Sequence, residues 1–152
     1  MGTNFYMLTK NKKMVKKYFA PEEYRLIDEP YFAYEIHVGK GSGGWKPLFE
    51  EHKGAYTSVD GLLDFLNKHK DDIVIMAEYY DRVLTVKELK TELVDWGEKQ
   101  GKGRVNYPNV GLINSPIDHV EISERDFSFR RTVCRYWRDK EGYNFTDAHF
   151  FA

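Results

Sequence analysis

His37-Val38-Gly39-Lys40-Gly41-Ser42-Gly43-Gly44-Trp45 is the stretch of this chain whose residue types best suit the holding of a ligand. Four of the six residues from Gly39 to Gly44 are glycine, a composition that bares backbone amides, and a lysine and a serine sit among them with a tryptophan at the exit. Such a segment can hold an anionic or flat ligand, which makes His37, Lys40, Gly41, Ser42, Gly44 and Trp45 candidate binding residues. Gly39, Gly41 and Gly44 also spell G-x-G-x-x-G, but a dinucleotide site needs a helix directly after the loop and then a parallel strand. Trp45-Lys46-Pro47 follows instead. No Gly-Lys-Ser/Thr closes a P-loop, and the H-R-D and D-F-G elements of kinases are missing. What remains is a hairpin-like loop presenting amides, Lys40 and Ser42 to an anion. A glycine-rich turn with a packed Trp45 is the competing reading.

Other chemistry is thinner. His37, His52, His69, His119 and His149 are scattered without the spacing of metal ligands, so no metal and no cofactor are expected. Cys134, the one cysteine, rules out an internal disulfide, fits a reducing compartment, and reads as an inert thiol in a strand. Glu78, Asp81 and Arg82 follow an apolar run, where catalytic carboxylates often sit, although a turn-stabilising ion pair explains them as well. Arg125, Arg130, Arg131, Arg135 and Arg138 lie among Phe127, Phe129, Tyr136 and Trp137, a mixture used on single-stranded nucleic acid. Those arginines can equally pair with the chain's acids. A base, a nucleophile and an orienting group at recognisable spacing are absent, so no catalytic residue is assigned and a binding protein is favoured over an enzyme. The alternative is a small nucleic-acid-binding protein or enzyme using Glu78, Asp81, His37 and the C-terminal arginines.

The elements that must position these residues are legible in outline. Asn4 to Thr9 reads as a first strand, and the lysine-rich Lys10 to Lys17 as a solvated face. Tyr31 to Val38, aromatic and β-branched, reads as a central strand feeding the glycine segment. Lys46 to Phe49 is a second strand or short turn, with Pro47 excluded from a central ladder. Ser58 caps a helix with Val59, Leu62, Leu63, Phe65 and Leu66 on one stripe, and Ile73 to Ala77 is a buried strand. Thr85 and Glu88 have capping-box spacing ahead of Val86, Leu89, Leu93 and Trp96, with Gly97 as the stop. Gly97 to Pro116 reads as an extended loop. Beyond it, Ile117 to Ile122 and Asp126 to Arg138 alternate as strands, and Gly142 to Asp147 returns to turn and edge chemistry.

The 152 residues fit one domain, 1–152, with a core that needs no disulfide or metal. The 23 basic and 24 acidic side chains leave a formal charge of -1, so partners must be recognised by local surfaces. No segment has the length and apolarity of a membrane span, and Met1 to Tyr6 lacks a basic-then-apolar leader. Tyr6 stands where a myristoylation motif wants Ser or Thr. A cytoplasmic protein without membrane contact is expected. The fold class expected is α+β, an antiparallel sheet with two amphipathic helices packed on one face.

Met1-Gly2-Thr3-Asn4-Phe5-Tyr6, His37-Val38-Gly39-Lys40 with Ser42 and Gly44-Trp45, Glu78-Tyr79 with Arg82, and Gly142-Tyr143-Asn144-Phe145-Thr146-Asp147 together resemble a family of small uncharacterised phage proteins. Those relatives begin GTNYY and carry an HIGKSSAGW-like core. Many also carry a Cys-x-x-Cys element suggesting a zinc knuckle, but this chain has no cysteine between Pro21 and Pro30, so no metal role carries over. The resemblance implies a phage or prophage origin and a role directed at the host cell, such as counter-defence by capture of a nucleotide-like signal or a defence protein. It also adds Asn4, Tyr6, Arg82 and Tyr143 to the candidate site, as flanking segments that converge on the glycine loop. The expected partner is a host protein or nucleotide-like small molecule, with nucleic acid not favoured and a homo-oligomer left open.

Overall fold

Alternation along the first strand lays out the sheet. In β1 (Gly2–Thr9), Phe5 and Met7 point to one side and Asn4, Tyr6 and Leu8 to the other. The computed structural model describes residues 2–28, 30, 32–42, 45–78, 82–95, 119–127 and 130–147, of which 42, 45–46, 119–127 and 130–136 are described by backbone alone. β1 lies between β3 (Tyr34–Ser42) and β5 (Val74–Ala77), both antiparallel to it. The other strands are β2 (Arg25–Leu26), β4 (Trp45–Glu50), β6 (Val83–Leu84), β7 (His119–Phe127), β8 (Arg130–Arg138) and β9 (Asn144–Thr146). They form one sheet in the order β6-β5-β1-β3-β4-β9-β8-β7, with β2 against the start of β3. Among the described residues only β4 and β9 run parallel. The fold is α+β with a largely antiparallel sheet.

Three helical segments supply the apolar cover. α2 (Val59–Lys68) starts where Ser58 Oγ accepts from Gly61 N at 3.0 Å, and it buries Val59, Leu62, Phe65 and Leu66. α3 (Val86–Leu89) opens on the expected reciprocal capping box, Thr85 Oγ1 accepting from Glu88 N and Glu88 Oε1 from Thr85 N. It continues as a π-type turn, Lys90–Asp95, which brings Val94 as well as Leu93 into the core because a wider turn stacks residues five apart. α1 (Lys12–Tyr18) was not expected from the sequence. Its lysines 12, 13, 16 and 17 do form a solvated face, but on a helix held by buried Met14 and Val15 and capped by Asn11. Buried residues of all three segments join one apolar cluster with Phe5, Met7, Ile36, Phe49 and Ile75, residues of a single strand parity.

Two strand expectations shift. Pro47 lies inside β4, where the β3–β4 register breaks between Lys40 and Ser42 and before pairing with β9 begins at Leu48, so no ladder bond is lost. The boundary between the last two strands also moves: β7 runs on to Phe127, which pairs with Arg130, so Asp126 and Phe127 belong to β7 and the second strand, β8, starts later than the alternation suggested. Trp96, Gly97 and the loop from Gly97 to Pro116 lie outside the described residues. No helix among the described residues is long and apolar enough to cross a membrane.

Candidate functional site: a buried polar hub under the β3–β4 hairpin

The glycine segment is mostly strand. Gly39, Lys40, Gly41 and Ser42 belong to β3, and Ser42 pairs with Trp45, so only Gly43 and Gly44 connect the strands. Gly39 and Gly41 serve packing: a Cβ on Gly39 would meet Leu48 O at 2.9 Å and Phe49 at 3.3 Å, and one on Gly41 would meet Leu93 at 3.3 Å. These two glycines therefore admit the neighbouring strand and the π turn rather than cradle a ligand. Gly44 lies outside the described residues, as do the side chains of Ser42 and Trp45.

The opposite sheet face, away from the helices, is polar and still buried. Residues directly across an antiparallel ladder share a face. Tyr6 lies opposite His37, Leu8 opposite Glu35, and Lys40 opposite both Asn4 and Leu48. Glu50 lies opposite Thr146, and Leu48 opposite Asn144. Glu35, His37, Glu50, Asn144 and Thr146 are all buried. Groups of this kind persist in a core only when they satisfy one another.

His37 and Glu50 do so in a chain of bonds, and Glu35 pairs with Arg25 at 2.8 Å. Glu78 accepts from Asn4 N at 3.1 Å and from Asn4 Nδ2 at 3.2 Å, which fixes the amide orientation and turns Asn4 Oδ1 toward His37 Nε2, 2.8 Å away. His37 Nδ1 lies 3.0 Å from Glu50 Oε1, and the Tyr6 ring meets the imidazole edge-on at 5.4 Å. His52 continues the chain: Nε2 donates to His37 O at 2.7 Å and lies 3.6 Å from Glu50 Oε2, while Nδ1 lies 2.9 Å from Glu23 Oε2. Phe19 and Tyr56 stack edgewise on that ring. The Tyr56 hydroxyl is buried without a hydrogen-bond partner among the described residues. Burial first, then the charges of Glu50 and Glu23, push its pKa well up and keep it protonated.

Of the expected site residues, Asn4, Tyr6, His37 and Lys40 therefore come together, with Gly41 one step beyond. Lys40 is half-buried and makes no ion pair among the described residues. Arg82 is not brought in: it is exposed and bonds Glu92 Oε1 at 2.6 Å. Tyr143 packs on Phe49, on the helix side, so the C-terminal motif reaches the polar face through Asn144 and Thr146 instead. Glu50, His52, Glu23 and Tyr56 were missed. Glu35 and His37 in β3 and Glu50 in β4 alternate with core residues Ile36, Val38 and Phe49, a pattern that reads as a solvent-facing parity and so gave no local signal of burial. Comparisons of the chain with protein-family models, curated proteins and solved structures return no match.

Of the alternative's residues, Glu78 has both oxygens engaged by Asn4, both His37 nitrogens are bonded, and Asp81 lies outside the described residues. In the β7–β8 register Arg131 sits across from Asp126, Arg135 across from Glu121 and Arg130 across from Phe127. Among the described residues no group of three or more side chains could hold a metal ion.

Proposed function

We propose that this chain is a phage-encoded, non-enzymatic binding protein that works in the host cytoplasm by capturing a nucleotide-like anionic signal at the β3–β4 hairpin. The observation that carries the reading is Lys40, a half-buried cation without an ion-pair partner among the described residues, opposite Asn4 and three residues from the hairpin tip. A cation held part-way out of water attracts an anion more strongly than a fully solvated one. Asn4, His37, Glu50 and His52 brace the two strands beneath it, so the hairpin base is rigid before a ligand arrives, which limits the ordering cost of binding. Trp45, at the exit of the hairpin, supplies a residue type suited to stacking on a base. The imidazoles and carboxylates nearby bond to protein partners, as in a scaffold rather than a reacting centre.

A thermal-shift panel of mononucleotides and cyclic dinucleotides tests this. At least one is expected to raise the melting midpoint, the shift should vanish in Lys40→Ala and Trp45→Ala, and the ligand should be recovered unchanged. Turnover of the ligand would overturn capture, and no shift with any nucleotide would redirect the function to a protein target.

A further inference from the structure

His52 faces acceptors on both of its ring nitrogens. A backbone carbonyl only accepts, so Nε2, 2.7 Å from His37 O, carries a hydrogen. Nδ1 lies 2.9 Å from Glu23 Oε2, an oxygen of a carboxylate whose side chain still reaches solvent, and an ionised carboxylate also only accepts. We infer that His52 is a buried, doubly protonated imidazolium, a charged strut that ties the single turn Pro21–Glu23 to the β3–β4 ladder only while it holds its second proton. Glu23 comes from the turn and Glu50 Oε2 from β4 at 3.6 Å, whereas Phe19 and Tyr56 contribute aromatic rings. Tyr56 keeps its phenolic proton, and Lys53, the next residue, is exposed.

His37 repeats the pattern one step along. Its Nε2 faces Asn4 Oδ1 and its Nδ1 faces Glu50 Oε1, so the His37–Glu50 contact also needs a proton on one partner. Loss of the His52 proton would set a nitrogen lone pair against the Glu23 carboxylate and free the turn from the strands. The strut thus engages at lower pH and releases as pH rises, a proton-dependent latch beneath the hairpin.

Imidazole nitrogen-15 NMR on the full chain near neutral pH reads the state directly. Two protonated nitrogens are expected for His52 in the wild type. In Glu23→Gln an amide hydrogen can satisfy Nδ1, so one nitrogen should become lone-pair-bearing. The wild-type melting midpoint should fall more steeply than that of Glu23→Gln between about pH 5 and about pH 8, the range in which histidines ordinarily change charge. A lone-pair nitrogen on His52 in the wild type, or equal pH dependence in the two proteins, would overturn the latch. Neither measurement contains a ligand, so the outcome is separate from that of the nucleotide panel.

Discussion

Truncation at His37 would leave Glu50 and Asn4 Oδ1, two acceptors, facing a buried gap where the imidazole joined them. Breaking a buried pair by removing one partner typically costs about 3–5 kcal/mol, and we expect His37→Ala to fall in that range in urea unfolding. The reason is the unpaired carboxylate left behind. The residue type was legible in the sequence as important, but its role was not. The bonds that define the hub join positions 4, 37, 50 and 78, separated by 13 to 74 residues, and no local spacing encodes them. Lys40 was legible because glycines around it make any charge conspicuous, although those glycines prove to accommodate Leu48, Phe49 and Leu93.

At the scale of elements, caps were easier to read than stripes. α2 and α3 announced themselves through Ser58 and through Thr85 with Glu88, because a cap is a contact between residues three apart. α1 did not, since two apolar residues in a run of lysines give no periodicity. The α2 start holds a second anchor invisible locally: Asp139 Oδ2 accepts from Val59 N at 2.9 Å while its Oδ1 accepts from Glu141 N and Tyr143 N. Ser58→Ala should cost about 1 kcal/mol, as for an ordinary N-cap. Asp139→Ala should cost more in the same denaturation assay, because three backbone donors lose a charged acceptor at once. The bonds from Thr85 hold the Glu88 carboxyl below its usual range. Its contribution is therefore present above the ordinary carboxylate value and is lost as pH falls through the lowered one, so a melting series toward acid should show a drop that Glu88→Gln lacks.

For the whole molecule, the class of fold followed from apolar periodicity, whereas the second face of the sheet did not. Binary pattern assigns a polar parity to solvent, and here that parity is buried and bonded. The sheet order was also out of reach, since it puts the late strand β9 beside β4 rather than at an edge. Phe145 on β9 is fully buried, stacked between Phe49 at 5.4 Å and Trp137 at 6.0 Å. Phe145→Ala should cost about 3–5 kcal/mol and lower the urea midpoint accordingly.

The parallel docking of β9 on β4 also sets an order of events during synthesis. β4 is made early, yet the strand that occupies its outer side ends at Thr146, almost a hundred residues later. Until that segment leaves the ribosome, a growing chain carries an open strand edge in mid-sheet, which can be joined by any passing extended peptide. Nascent chains stalled before Asn144 should therefore be held by chaperones or aggregate, while finished ones close the seam themselves.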